Sequence, residues 1–437
     1  MLSDKVLKIS FYTALILLVF LLGYISHKYK VKKIFQSIEP IISNIEIKLD
    51  LDFDRKFGER KTGKFNNTNN PAEDTNFSLD NKPKDSFDYL LFLKLDKNYP
   101  VLMNDPNNII WRWDLNKFRN VEKIIPYLLF KNGDVILGKY ETKGIYRINK
   151  NGKIIWYKDY YNHHWISHDQ EHLYIPGTDF INNKKDLNDK IYEESFVKKC
   201  KANHKSRFGT ILILDKKNGD LIKKISLIES FYKDLSSKKL IEKIAKNCTD
   251  TLHLNDVRVL DKSKASFFEN GKSGDMLVSF RHLNMITLID KDSHSIKWYV
   301  QGKFKNQHSP RVTNRGTILV FDNNFEDKKS RIVEINIKDK NIKGYYSGDK
   351  YNFYSHTRGR IQLIDERIFV QSSDQGEIFE IICSDKFLSN KTCKSNYVFS
   401  AIFSGFYPNT GSSVKGKYIK DMIYIGDFYK EKYNFIN

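Results

Sequence analysis

A four-strand unit that recurs along the chain limits its possible folds more than any other sequence feature. From residue 88 the sequence repeats a short apolar strand, a turn carrying Asn-Gly or a near equivalent, and a second strand. An acidic or Lys-rich turn then precedes a strand that often ends in Trp or Tyr. The clearest copy, LLFKNGDVILGKYETKGIYRINKNGKIIWYKD, fills residues 128–159, and imperfect copies occupy 101–114, 209–225, 274–300, 311–346 and 361–381. One such unit cannot bury both of its faces alone, whereas copies stacked around an axis bury one another's. The pattern therefore predicts an all-β fold, a β-propeller of about six blades.

Residues 179–250 break the rhythm. A polar stretch leads to an apparent helix over 229–246, in which Phe231, Leu235, Leu240, Ile241 and Ile244 can share one face. A helical insertion of this kind at a propeller rim serves as a lid or as packing. With that insertion included, the propeller domain is expected over residues 88–437.

Ahead of the repeats, residues 9–25 read ISFYTALILLVFLLGYI, an uncharged run at the short end of what spans a bilayer. Tyr12 and Tyr24 lie near its ends, where amphipathic rings prefer the headgroup level. No A-x-A-like site follows, so the expectation is an uncleaved transmembrane helix within a 1–33 anchor, not a signal peptide. Residues 34–87 read as a stalk and polar tether. Ile34, Ile38, Ile41, Ile42, Ile45 and Leu49 recur at helical spacing, Pro40 interrupts them, and 58–87 are rich in Asn, Lys, Asp and Thr.

Two signals disagree on orientation. Lys28, Lys30, Lys32 and Lys33 follow the span and outnumber Lys5 and Lys8, which would leave the large domain in the cytoplasm. The cysteines favour the other side: Cys383 and Cys393 bracket a short polar loop, and Cys200 and Cys248 flank the insertion, as crosslinks would. Free buried thiols are the alternative for each pair. The expectation adopted is a single-pass membrane protein with a periplasmic or extracellular propeller.

The formal net charge of +20 is spread along almost every segment, with Asp and Glu interleaved. With no zinc-finger spacing, recognition-helix pattern or aromatic RNP signature, it argues against nucleic acid as a partner and biases the protein toward anionic ligands. No cofactor or metal motif stands out; in particular the calcium-ligand cluster and vicinal disulfide of quinone-dependent dehydrogenases are absent from the sequence.

Residues suited to chemistry concentrate in a few short strings. TLHLNDVRVLD carries His253 and Asn255, SFRHLNMITLID carries Arg281 and His282, and NQHSPRVTNRGTILVFDN carries Gln307 and His308. YSHTRGRIQ adds His356, Arg358 and Arg360, and YNHHWISHD adds His163 and His164. Loops leading into the innermost strands of a propeller lie near its central channel. His253, His308 and His356, at corresponding places in successive repeats, are therefore expected around one pocket. Each residue also has a plain structural reading. His282 can be a satisfied strand histidine alternating with Arg281, His163 and His164 a turn feature, and Arg358 and Arg360 solvated or paired. Asn255 and Asp256 can simply end a turn.

Taken in order, L-H-x-N-D-V-x-V-L-D, S-x-R-x-x-N-x-I-x-x-I-D, Q-H-x-P and R-G-T-I-L-V-F-D-N resemble the arylsulfotransferase family. The opening VLMNDPNNIIWRWD resembles that family's first blade. The resemblance implies a six-bladed propeller that moves a sulfuryl group from an aryl sulfate to a phenol through a histidine, with no cofactor. It places His253 on the family's H-x-N string, His308 on its Q-H string and Arg331 more loosely on its arginine, with Arg281 or Arg331 facing the oxyanion. The family's nucleophilic histidine belongs to the last repeat, where this chain reads VQSSDQGEIFEI and has none. Either His356 takes its place from a neighbouring loop, or the chemistry is altered or lost and the propeller binds a ligand or partner without turnover.

Overall fold

The computed structural model describes most of residues 100–181 and 206–404, with short breaks, and strand segments at 76–77, 91–94, 415–417 and 424–425. The expected membrane span at 9–25, the stalk, most of the tether and the Cys200–Cys248 pair lie outside the described residues. Among the described residues, no helix is long and apolar enough to cross a membrane.

The described strands sort into six antiparallel sheets, five of four strands and one of six. Five meet the four-strand expectation. The departure is the last sheet, whose Arg360–Ile364 to Cys393–Ser404 meander takes Asn76–Phe77 and Lys415–Lys417 on its outer strand. In exchange, Tyr424–Ile425 from near the chain end completes the first sheet beside Leu91–Lys94. Strands traded between the first and last sheets are how a propeller ring is closed.

Strand alternation explains why successive sheets stack. Within Met276–Phe280, Met276 and Val278 pack toward the preceding sheet, while Leu277 between them packs toward the following one. Within Thr317–Asp322, Ile318 and Val320 face one neighbour and Leu319 and Phe321 the other. A strand buried on both faces reads as a continuous apolar run, and TILVF is one.

The aromatic residue that ends many repeats ties one sheet to the next. Trp113 Nε1 donates to the carbonyl of Gly133 at 2.9 Å, and Trp298 Nε1 donates to that of Ile337 at 2.9 Å. Both acceptors lie at turns of the following sheet. Trp156 lies against the Gly219 turn, where an added Cβ would come within 2.8 Å of the indole. Gly219 also has φ 75°, a left-handed value that suits glycine.

The stretch expected as an insertion contains blade strands as well. His172–Ile181 pairs in full register with Ser206–Asp215, and Leu221–Ser226 extends that sheet. The single helix expected over 229–246 is two, Leu227–Tyr232 and Leu235–Ile244. The break falls at Asp234, whose carboxylate accepts from the Ser237 amide at 2.8 Å and caps the second helix. Leu227, Ile228, Phe231 and Ile241 pack into the layer beside Leu254 and Val257, so the helices bury apolar surface of the propeller flank.

Cys383 and Cys393 form the expected disulfide, S–S 2.06 Å, at facing positions of the last hairpin. Loop-closure entropy makes this crosslink worth about 2–3 kcal/mol. Cys383→Ser with Cys393→Ser should lower stability by that amount in urea unfolding; an unchanged midpoint would show that the hairpin holds without it.

Candidate active site

The loops leading into the innermost strands turn through residues with positive φ. They include His164 (66°) ahead of Ser167–His168, His253 (46°) directly before Leu254–Val259, and Arg358 (63°) before Arg360–Ile364. Non-glycine residues hold this conformation at a cost, and such strain gathers at functional sites. At Gly359, φ 92°, an added Cβ would approach the Phe321 ring to 2.4 Å, so the Arg358 loop closes on the neighbouring sheet only with glycine there.

These loops bring imidazoles from three sheets into one chain of contacts. The His163 and His164 rings are 4.0 Å apart; His164 lies 5.8 Å from His253 and 5.6 Å from His308. His163 is 5.2 Å from His253, and His282 stacks on His253 at 4.5 Å.

The partners of the rings fix their tautomers. His253 Nδ1 is 2.6 Å from Asp250 Oδ2, and His282 Nδ1 is 2.6 Å from the Asp250 carbonyl. His163 Nδ1 is 3.3 Å from the Leu254 carbonyl. His308 Nδ1 is 2.7 Å from Asn323 Oδ1, while the Asn323 amide nitrogen donates to the carbonyls of Ser355 and Arg358. All four acceptors lack a proton to give, so the hydrogen in each of these bonds sits on Nδ1.

Burial keeps three of these rings uncharged. It pushes His253 down to about 4, against the opposing pull of Asp250. Burial also holds His164 well below its ordinary value, reinforced by His163, and does the same to His308, reinforced by the charge of Arg281. The Arg358 charge bears on His164 as well. Asp250 goes the other way: burial alone would raise it, but the bond from His253 carries it below the usual carboxylate range. The result is neutral imidazoles beside an ionised carboxylate, with guanidinium charge close by.

The sequence strings work as one unit. Asn255 donates from Nδ2 to the Gln307 carbonyl at 2.6 Å, and Gln307 Nε2 donates to Ser279 Oγ and to the carbonyls of Phe280 and Met285. Asn255 therefore positions the loop that carries His308 and does not merely end a turn. Arg281 and His282 do not alternate along a strand: they sit on the 3₁₀ turn Arg281–Leu283, which ends at Asn284 with φ 48°.

Two other expected site residues have partners of their own. His356 is exposed, and its Nδ1 is 3.1 Å from the Tyr354 hydroxyl. Arg331 bonds Asp322 at 2.8 Å, one residue before the Asn323 that accepts from His308. In the last repeat, where the family's histidine is missing, Ser372 and Gln375 hold the Tyr354 backbone, and Ser373 accepts from the Gly359 amide. Sequence reasoning left His164, the ring that joins His253 to His308, open between a site residue and a turn feature, and it passed over Asp250, visible only as an acid three residues before His253.

Residues 191–388 match the family described as Arylsulfotransferase (ASST). No curated protein matches the chain. Among solved structures, a protein of unknown function from Bacteroides caccae is 11% identical with TM-score 0.42, over 70% of this chain and 94% of that one. A catalytically inactive virginiamycin B lyase from Staphylococcus aureus in complex with quinupristin is 11% identical with TM-score 0.40, over 74% and 88%. BamB from Moraxella catarrhalis is 9% identical with TM-score 0.31, over 67% and 72%. Overlaps of this size bear on neither site nor substrate. The family match spans the strings that carry His253, Arg281, His282 and His308, and across residues 191–388 the chain is similar to the arylsulfotransferase family.

Proposed function

We propose that the protein transfers a sulfuryl group from an aryl sulfate to a phenolic acceptor, with His253 carrying the group between them. The observation that supports this most is the Asp250–His253 pair. Asp250 fixes the Nδ1–H tautomer and steadies the positive charge that the ring gains on reaction, while Nε2 stays unprotonated. His253 is also partly exposed, whereas His308 is 1% exposed.

In the first step the His253 Nε2 lone pair attacks sulfur, an N–S bond forms, and the S–O bond to the ring breaks. The departing phenolate then takes a proton from water. In the second step the acceptor oxygen attacks sulfur, the N–S bond breaks, and the acceptor's proton passes to a neighbouring neutral imidazole and on to water. Arg281 and Arg358 supply positive charge near the sulfuryl oxygens. In this reading the widened last sheet is the sixth blade, residues 9–25 anchor the chain, and the Cys383–Cys393 disulfide favours a propeller outside the cytoplasm.

The test is turnover of an aryl sulfate with a phenol as acceptor, with rapid quench and mass spectrometry for a sulfated peptide that contains residue 253. Release of phenol with that adduct is expected; sulfation elsewhere, or saturable binding with no turnover, would overturn the proposal. One observation favours the second reading, a propeller that binds without turnover. The cavity beside His253 and Asp250 is about 10 Å³, room for roughly one water, so a donor has to approach the ring from its open side.

A further inference from the structure

Two sets of three side chains among the described residues have the spacing of metal ligands, and both include His253. One set joins it to His163 and His164, the other to Asp250 and His282. In each, the ligand atoms, one from each residue, all lie within 4.8 Å of one another.

The hydrogen bonds choose between the two sets. In the second, the Asp250 carboxylate already accepts from His253 Nδ1 at 2.6 Å, and a cation between those two atoms would have to displace the hydrogen. In the first set the same bond works for the metal. A metal-bound histidine ordinarily gives its other ring N–H to a carboxylate or a backbone carbonyl, which orients the ring and makes it a better ligand. His253 gives its Nδ1–H to Asp250, and His163 gives its own to the Leu254 carbonyl at 3.3 Å. Two of the three rings thus have the outer-shell partners that go with ligation through Nε2.

The fold holds these rings together before any ligand is considered. His163 and His164 lie just ahead of Ser167–His168 and His253 just ahead of Leu254–Val259, and the sheets of those strands pack into one layer. His163 and His164 are buried, so they lose little side-chain freedom on ligation. Zinc held by three imidazoles at about 2.0–2.1 Å spaces the nitrogens by about 3.4 Å, which small ring rotations reach. Beside His163, His253 and Asp250 a cavity of about 10 Å³ has room for roughly one water, the usual fourth ligand of a three-histidine site.

Imidazoles with no thiolate among them suit zinc and its late transition neighbours, whereas magnesium and calcium take oxygen ligands. We propose that His163, His164 and His253 form a binding site for a divalent transition metal of the zinc class, with Asp250 as the outer-shell partner of His253. Zinc there occupies the His253 nitrogen that sulfuryl transfer uses, so it switches transfer off. That consequence rests on the transfer reading of His253; the binding does not.

Titration of the chelator-treated full chain with zinc chloride, in competition with a chromophoric chelator, tests the site. One equivalent should bind, and magnesium should not compete. His163→Gln, Asp250→Asn and His253→Ala should each weaken binding about tenfold or more, the least that loss of an outer-shell partner costs. His282→Gln and His356→Ala should keep it, the first checking the rival set and the second adventitious binding at an exposed ring. Should His163→Gln fail to fold, Asp250→Asn and His253→Ala still decide the matter. Absence of binding, indifference to Asp250→Asn and His253→Ala, or loss in His282→Gln or His356→Ala would each overturn the proposal. In parallel, aryl sulfate turnover should stop with one equivalent of zinc and return with excess chelator. Zinc bound with turnover undiminished would overturn its placement on His253, while zinc bound with no turnover in either form keeps the site and removes the transfer reading alone.

Discussion

Under the proposed transfer, His253→Ala is expected to lower aryl sulfate turnover about 10³-fold or more while leaving the fold intact, because it removes the lone pair that would take the sulfuryl group. Asp250→Asn should also be severe, about 10²-fold or more, since an amide in place of the carboxylate no longer favours the Nδ1–H tautomer or steadies a charged ring. His356→Ala should change turnover by less than about threefold, as its exposed ring meets the Tyr354 hydroxyl. Steady-state rates with one aryl sulfate and one phenol, alongside circular dichroism, separate these outcomes. If turnover dies with His356→Ala and survives His253→Ala, the nucleophile is on the Tyr354–Arg358 loop and the assignment made here is wrong.

This ordering reverses what the repeats alone imply about His356, and the reason lies in local backbone. Position in a repeat predicts which loop a residue occupies, but not where its side chain points once the loop turns through left-handed residues. His164 and His253 both have positive φ and both join the imidazole chain. His356 lies on a loop whose backbone is fixed by Asn323, Ser372 and Gln375, and its ring is left exposed. Arg281 and His282 were obscured for a related reason. Alternation assigns neighbours to opposite faces only within a strand, and these two lie on a 3₁₀ turn, where His282 can stack on His253 while the charge of Arg281 bears on His308.

The fold was far more legible, because sheet stacking depends on features that a sequence displays directly. Apolar runs such as TILVF mark strands buried on both faces, and the Trp that closes a repeat marks a bond to the next sheet's turn. Strand exchange between the chain ends was not legible: Asn76–Phe77 and Tyr424–Ile425 are too short to carry a periodic signal. Asp234 illustrates a signal present but unread, since an Asp directly ahead of Leu235 suits the N-cap of a new helix inside what looked like one continuous helix.

Mild acid should unfold this protein steeply, and the buried imidazoles set the window. His164, His253 and His308 each titrate in the folded state below their ordinary value near 6.5, burial being the first cause for all three. Above that value they are neutral in both the folded and unfolded chains, and stability is at its full level. As pH falls below about 6.5 the unfolded chain takes up protons that the folded chain refuses, so stability declines until the folded pKa is reached. For His253 the window runs from about 6.5 to about 4, a loss on the order of 3 kcal/mol. With three such rings the slope approaches about 4 kcal/mol per pH unit, against a total stability of about 5–15 kcal/mol. Urea unfolding at pH 7, 6 and 5 should therefore show the midpoint dropping sharply below about pH 6. His308→Gln should flatten that dependence by about one proton. A midpoint that stays level from pH 7 to pH 5 would mean that the cluster accepts protons while folded, which would also remove the neutral lone pair on which transfer through His253 depends.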